Sequence, residues 1–192
     1  MIRFILLTAL TLIIISCTSN DVQKQAVAYN NKAISYSDSN LDSALFYFDK
    51  AIKADSTYLL SYQNKTNLYT KIGNYESALQ TLEMLSQKIN NSEINKMKGL
   101  LNDLLDNSEK AKIFYDKSIA QIDEESKRVN DFEKYKKLYS KGTLFLLQGK
   151  EKDGLQLIDE YYKKANISTV RKDSVVAFMG NKQDLLKLLI NP

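Results

Sequence analysis

Apolar and small residues recur along most of the chain at spacings of three and four positions, which is the pattern of amphipathic helices. Ala44 is followed by Phe48 and Ala51, and similar spacings begin again at Ala78 and Ala111. The single proline and six glycines also fit long helices better than a turn-rich β-sandwich. We predict helices near 22–37, 41–54, 57–72, 75–89, 92–105, 108–121, 127–148, 151–165 and 181–190.

The helical pattern itself repeats along the chain. Ala44, Ala78 and Ala111 lie 34 and 33 residues apart, and a period of this length is typical of stacked helical hairpins. A fourth repeat begins after the charged stretch 122–132, which we expect to lengthen its first helix or the preceding loop. We expect 167–192 to form a C-terminal cap that closes the open end of the array. The predicted hairpins cover 22–56, 57–90, 91–122 and 127–166.

Small and turn-forming residues fall at fixed places in these hairpins. Gly73 and Gly149 are expected to end a first helix in the left-handed conformation. Asn40, Asn74 and Asn107 are placed to cap the helix that follows. Small residues should also let the paired helices approach closely. They are Ala33, Thr66, Gly99 and Gly142 in the first helices, and Ala44, Ala78, Ala111 and Gly154 in the second.

The second hairpin carries a series of aromatic, small and bulky residues in a regular spacing: Tyr62, Thr66, Tyr69, Gly73, Tyr75, Ala78 and Leu82. In type and spacing this series resembles the tetratricopeptide repeat (TPR). The resemblance implies an all-α fold, a right-handed α-solenoid of about four TPR-like hairpins with a C-terminal capping helix. It also implies that ligands bind along the concave surface lined by the first helix of each hairpin.

The resemblance to TPR proteins implies a candidate partner-binding groove in this chain. Its amides and ammonium groups could bind an extended peptide backbone or a carboxylate. The two-carboxylate clamp of one subfamily is matched only at Asn64, so that specificity is not expected. A solvated polar surface with no ligand is the alternative. The groove residues are Asn30, Gln63, Asn64, Asn67, Lys71 and Lys96.

The N-terminus has the pattern of a signal peptide. Arg3 precedes an apolar run of about 12 residues, which is too short to cross a bilayer as a helix. The run ends at 14–17 in Ile-Ile-Ser-Cys, which resembles the lipobox of bacterial lipoproteins. This implies that 1–16 is cleaved, that Cys17 carries the lipid, and that 17–21 is a short tether. A buried, unmodified cysteine after an ordinary signal is the alternative.

Composition excludes several kinds of chemistry. The chain of 192 residues has no histidine and one cysteine, so it has no His-dependent catalytic triad, no His-ligated zinc site and no internal disulfide. A formal net charge of +4 is far from the concentrated basic surface of nucleic-acid binders. We therefore expect no enzymatic activity, no cofactor, no metal and no nucleic-acid partner.

Together these patterns predict a TPR scaffold lipoprotein in the bacterial cell envelope. Its expected location is the outer membrane, because Thr18 rather than an aspartate follows the lipidated cysteine. Its expected partner is a protein or peptide. The alternative is a glycan-associated accessory lipoprotein that holds carbohydrate with exposed tyrosines, and a flat tyrosine platform would favour it. An envelope hydrolase that works without histidine is a third hypothesis.

Overall fold

The computed structural model describes residues 21–165 and 182–190. The signal segment, Cys17 and much of the predicted C-terminal cap lie outside the described residues. Within the described residues the structure contains helices and turns only, which confirms the all-α prediction. The helices are α1 (21–36), α2 (Leu41–Ala54), α3 (Leu59–Lys71), α4 (Tyr75–Ser86), α5 (Ser92–Leu104), α6 (Ser108–Ser126), α7 (Asp131–Leu147), α8 (Glu151–Lys164) and α9 (Lys182–Ile190).

The described residues belong to two compact units. Unit 1 contains α1, α2, α3 and 81–88, and unit 2 contains 73–80 and the helices from α5 onward. The core of unit 1 forms where α1 and α3 meet α2, around Ala33, Phe48 and Leu68. Ala33 is fully buried, as expected of a small residue at a close helix contact.

The core of unit 2 is larger and depends on glycines. A Cβ atom at Gly142 would lie 2.9 Å from the carbonyl oxygen of Gly154, and one at Gly154 would lie 2.8 Å from that of Gly142. The predicted close approach of α7 and α8 is therefore confirmed. The buried residues of this core are Leu100, Ala111, Tyr115, Ile122, Leu144, Leu147, Leu185 and Leu186.

The predicted turn residues are confirmed at four of five positions. Gly73 and Gly149 have φ of 77° and 75°, in the left-handed region. The side chain of Asn40 accepts a hydrogen bond from the amide of Ser43, and that of Asn74 accepts one from Ser77. The prediction for Asn107 is wrong: its side chain makes no capping hydrogen bond.

The charged stretch before the fourth hairpin is divided between two helices. α6 continues to Ser126, five residues beyond its predicted end, because Ile122 is buried in the core of unit 2. α7 begins at Asp131, where Asn130 accepts a hydrogen bond from the amide of Glu133. α7 has 17 residues against 13 in α5, so the first helix of the fourth hairpin is indeed the longer one.

The last described helix packs on unit 2. α9 packs against α5 and α7, the first helices of the third and fourth hairpins. Leu185 and Leu186 of α9 are buried in the core that these helices form. The described part of the predicted cap therefore contacts two hairpins of unit 2 along their first helices. None of the described helices is long and apolar enough to cross a membrane.

Candidate partner-binding site

The candidate site is built on α3, and a tight turn sets where this helix begins. The carboxylate of Asp55 accepts hydrogen bonds from the amide of Thr57 at 2.8 Å and from its hydroxyl at 2.6 Å. The hydroxyl of Thr57, followed by its amide, holds the pKa of Asp55 below its ordinary value. Tyr62 and Leu68 are buried and fix the inner face of α3.

An exposed polar row runs along the opposite side of α3. Gln63, Asn67 and Lys71 are spaced four residues apart, so their side chains lie above one another on the helix surface. The side chains of Gln63 and Asn67 are exposed and form no hydrogen bond with another described residue. Their donors and acceptors are therefore available to a ligand.

Lys71 at the end of this row carries the positive charge. Its ammonium group donates a hydrogen bond to the carboxylate of Asp38 at 2.5 Å, and both side chains are largely exposed. The hydrogen bond and charge of Lys71 hold the pKa of Asp38 below its ordinary value. An exposed pair of this kind contributes little stability, so a competing carboxylate can take the place of Asp38 at low cost.

Two asparagines lie beneath the row. The Asn30 side chain is fully buried, and its oxygen accepts hydrogen bonds from the Asn64 amide at 3.0 Å and the Ser61 hydroxyl at 3.3 Å. Asn30 was expected to line the groove, but it has no exposed surface because Asn64 and Ser61 cover it. It orients Asn64 from below, and Asn64 is half-buried.

The remaining predicted groove residue belongs to unit 2. Lys96 lies on α5 and forms an ion pair with Glu93, one turn earlier, at 2.8 Å. Its side chain is about one-fifth exposed. The five predicted groove residues of unit 1 therefore lie together on α1 and α3. Lys96 belongs to α5, in unit 2.

The sequence did not predict the aromatic cluster of Tyr29, Tyr36 and Tyr47 that lies between α1 and α2. The ring of Tyr47 stacks against Tyr36, with centroids 5.8 Å apart and an interplanar angle of 7°, and against Tyr29 at 6.2 Å and 26°. The seven-residue spacing of Tyr29 and Tyr36 places both on one side of α1 and could have revealed it. Tyr47 had no such signal, because its partners lie on another helix.

Lysines cover this cluster. The ammonium group of Lys32 lies 4.4 Å from the ring centroid of Tyr47, and that of Lys50 lies 5.5 Å from the ring centroid of Tyr29. A hydrogen bond with Tyr47 raises the pKa of Lys32. The ring faces contact one another and these cations, so the cluster does not offer the flat, free platform that sugar stacking requires.

A second tyrosine cluster on α7 and α8 serves packing. Tyr139 lies 5.2 Å from Tyr161 and 6.4 Å from Tyr162 between ring centroids. Tyr162 is buried and Tyr161 is half-buried. Burial raises the pKa of Tyr139.

The described residues include no candidate metal site. In 21–165 and 182–190, no group of three or more histidine, cysteine, aspartate or glutamate side chains could hold a metal ion. An open pocket of about 360 Å³ lies among α6, α7 and α8. Lysines in its wall are already paired: Lys137 with Glu125 at 2.6 Å, and Lys141 with Asp123 at 2.6 Å.

Comparisons with known proteins show the fold. No protein family model matches the chain, and no curated protein matches it. The crystal structure of MamA aligns with a TM-score of 0.52 and 15% identity over 73% of each chain. That of PilW, a widely conserved type IV pilus biogenesis factor, aligns with a TM-score of 0.53 and 16% identity, over 73% of this chain and 62% of PilW.

A third structure covers nearly the whole chain. YrrB, described as a TPR protein with an unusual peptide-binding site, aligns with a TM-score of 0.52 and 19% identity over 91% of this chain and 92% of YrrB. This chain therefore has a TPR-like fold of helical hairpins. The resemblance of its sequence to TPR proteins is confirmed at the level of fold.

Proposed function

We propose that this chain is a membrane-anchored TPR scaffold lipoprotein that binds a protein or peptide partner in the bacterial cell envelope. The observation that carries the proposal is the exposed row of Gln63, Asn67 and Lys71 on α3. Two amides that form no hydrogen bond with another described residue stand on this helix beside a cation. Such groups can pair with the backbone of an extended peptide and with an acidic side chain.

The fold supports a binding role over a catalytic one. YrrB is described as a TPR protein with an unusual peptide-binding site, and PilW as a widely conserved type IV pilus biogenesis factor. A chain of the same fold with an exposed polar row on one helix is suited to binding a peptide or protein. We propose no enzymatic activity and no cofactor.

The proposed membrane anchor is a lipid on Cys17, close to the start of α1. Three residues, 18–20, lie between Cys17 and the first described residue of α1, residue 21. Fully extended, the four residue steps from Cys17 to residue 21 span about 14 Å. A lipid on Cys17 would therefore hold unit 1 next to the membrane surface, with the outer membrane as the proposed location.

The partner site can be tested by a triple variant, Gln63→Ala with Asn67→Ala and Lys71→Glu. Asn64 is left intact because its amide occupies the buried oxygen of Asn30. Loss of two hydrogen bonds at about 1 kcal/mol each weakens binding roughly 30-fold. Charge reversal at Lys71 further slows association with an acidic partner, more so at low salt. The measurement is recovery of crosslinked partners from envelope membranes, with circular dichroism to verify folding.

The matched control makes two amide-to-alanine changes and one charge reversal outside the first helices of the hairpins. Its changes are Gln80→Ala on α4, Gln87→Ala just after α4 and Lys53→Glu on α2, and all three side chains are exposed. This control should recover partners at the wild-type level. If the α3 variant also retains them while remaining folded, α3 is not the binding surface.

A further inference from the structure

One side of the first hairpin presents aromatic rings and lysines to solvent. Phe46 of α2 is 52% exposed, and its ring packs edge-to-face on Tyr47 with centroids 5.2 Å apart. Val22 is 42% exposed, and it precedes Tyr29 by seven residues, so both lie on one side of α1. We call this the aromatic-lysine surface, and its residues are Val22, Tyr29, Lys32, Phe46, Tyr47 and Lys50.

The lysines of this surface carry positive charge without a carboxylate partner among the described residues. Lys32 lies over the ring of Tyr47, and the ammonium group of Lys50 lies 4.5 Å from the ring centroid of Phe46. Asp49, beside Lys50 in the sequence, is instead bound by Lys65 of α3 at 2.5 Å. Each lysine ammonium has three N–H donors, so it can contact a ring and an anionic oxygen together.

The surface lies close to the proposed lipid attachment point. Val22 is the second residue of α1, and three residues separate Cys17 from the start of that helix. A lipid on Cys17 would therefore keep α1 within about 14 Å of the membrane. Held at such a short distance, even a weak surface has a high effective concentration at the headgroups.

The chemistry of the surface suits phospholipid headgroups. Tyrosine rings are enriched where apolar and aqueous phases meet, and phenylalanine enters the boundary between headgroups and acyl chains. Lysines near an anionic membrane are attracted to it, and their apolar stems can lie along the boundary while the charged ends remain in water. A membrane therefore pairs with both the rings and the cations.

We propose that the aromatic-lysine surface of unit 1 docks on the membrane that holds the lipid of Cys17. Phe46 enters the boundary between headgroups and acyl chains, and Lys32 and Lys50 face anionic phosphates. This inference rests on the proposed lipid anchor and gives α1 and α2 a defined contact with the bilayer. It uses no residue of the polar row on α3.

The test introduces a fluorophore at the centre of the surface. The chain has no tryptophan, so Phe46→Trp supplies a single one. The mature lipoprotein carrying this change is reconstituted into vesicles of phosphatidylethanolamine and phosphatidylglycerol, with plain or brominated acyl chains. Bromine quenches only fluorophores that reach the acyl chains. We expect a blue-shifted emission in plain vesicles and loss of most of it in brominated ones.

The matched control is Phe132→Trp on α7. Phe132 is 60% exposed, and the ammonium group of Lys136 lies 4.6 Å from its ring centroid, so the same kind of pair occurs on unit 2. Its emission should not change with bromination. Equal quenching at both positions, or none at position 46, would overturn the proposal. A blue shift at position 46 without quenching by bromine would show that a protein, such as a second copy of this chain, covers the surface instead.

The contribution of the lysines is measured in the Phe46→Trp background. Lys32→Gln with Lys50→Gln should lower the ratio of docked to undocked protein roughly 30-fold. The effect should be smaller on vesicles of phosphatidylcholine alone, which carry no net charge. The control, Lys112→Gln with Lys152→Gln, makes the same change in net charge at exposed positions of α6 and α8 and should dock like its parent.

Equal losses in the two double variants would show that net charge, and not this surface, attracts the membrane. Circular dichroism and the melting transition verify folding, because both lysines contact aromatic rings. If the double variant does not fold, Lys50→Gln alone is used, with an expected decrease of roughly fivefold.

Failure of this inference is distinguishable from failure of the anchor. Mass spectrometry of the reconstituted protein shows whether Cys17 carries lipid. A lipidated chain without quenching at position 46 overturns the docking surface and leaves the anchor intact. A chain without lipid overturns the anchor, and quenching at position 46 then decides on the surface by itself. Partner recovery by the α3 variants is measured separately and does not depend on either result.

Discussion

At Gly99 the packing of unit 2 leaves room for a hydrogen atom only. A Cβ atom there would overlap with Cε1 and Cδ1 of the Tyr115 ring. The Tyr115 ring is 1% exposed and its hydroxyl is bonded to Asp103, so it has little freedom to move. Burial, followed by the hydrogen bond to the Asp103 carboxylate, raises the pKa of Tyr115 far above its ordinary value, so the hydroxyl remains a donor.

Gly99→Ala should therefore destabilise the protein by about 1–3 kcal/mol, as overpacking of a core does. The sign of this change in the free energy of unfolding is informative, because alanine in a helix interior is otherwise favoured over glycine by about 1 kcal/mol. The measurement is the free energy of unfolding in urea. In a Tyr115→Leu background, which lacks the ring atoms, the same substitution should be neutral or stabilising. A destabilisation of equal size in both backgrounds would contradict the contact.

Residue-level features were predictable where the repeat itself demanded them. The close-approach glycines and the left-handed Gly73 and Gly149 follow from their places in the hairpin. Asp106 did not follow: it adopts a left-handed φ of 58° at the end of α5, where the second and fourth hairpins have Gly73 and Gly149. Aspartate tolerates this conformation better than most residues, but nothing in the sequence singles it out.

At the scale of elements, the extension of α6 links three helices. Glu125 lies in the added turn, and its carboxylate accepts hydrogen bonds from the amide and hydroxyl of Ser92 at the start of α5. Lys137 of α7 donates to it at 2.6 Å. Desolvation opposes the charge of Glu125, but the hydrogen bonds from Lys137 and Ser92 outweigh it and hold its pKa below the usual 4.5.

This arrangement predicts a pH dependence of stability. Because the folded-state pKa of Glu125 is lowered, its contribution is fully present above the unfolded value of 4.5 and is lost as pH falls through the folded value. Glu125→Gln should therefore lower Tm at pH 7, and the difference from wild type should shrink as pH falls below 4.5. Thermal melts between pH 7 and pH 3 measure it. A difference that does not change with pH would show that the charge is unimportant.

The helices themselves were largely predictable, and the missed turn of α6 shows where prediction stops. Periodicity located each described helix within a few residues, because apolar positions repeat with the turns. Glu125 follows Asp123 and Glu124, and three consecutive acidic residues indicate a solvated surface. Its partner Ser92 lies 33 residues away in the sequence, so no local pattern reveals their contact. The polar row on α3 was predictable, whereas the burial of Asn30 depends on contacts between helices.

At the scale of the whole molecule, the proposed attachment to a membrane depends on one residue. Cys17→Ser should give an unprocessed or soluble protein, because lipid chains supply about 0.8 kcal/mol per buried methylene and the substitution removes their attachment point. Partitioning between detergent and aqueous phases measures the change, and mass spectrometry of the wild type should find lipid on Cys17.

The control for the anchor is Ser19→Ala, which leaves the lipobox intact and should partition like the wild type. If Cys17→Ser stays with the membrane to the wild-type extent after a high-salt wash, the lipoprotein proposal is wrong. The scaffold proposal at α3 does not depend on that result, because the partner can be captured by the unanchored chain.

The ion pair between Asp103 and Lys182 also has a consequence for the order of events during synthesis. The two residues are 79 positions apart, so the ribosome makes α5 well before it makes α9. Until Lys182 emerges, the third and fourth hairpins can assemble with the Asp103 carboxylate bonded to Tyr115 alone. Closing a loop of this length costs about 4 kcal/mol of chain entropy, which the leucine contacts and the ion pair must offset. A chain halted before α9 would therefore leave the Asp103 carboxylate without Lys182, and Leu100 and Leu144 without the leucines of α9.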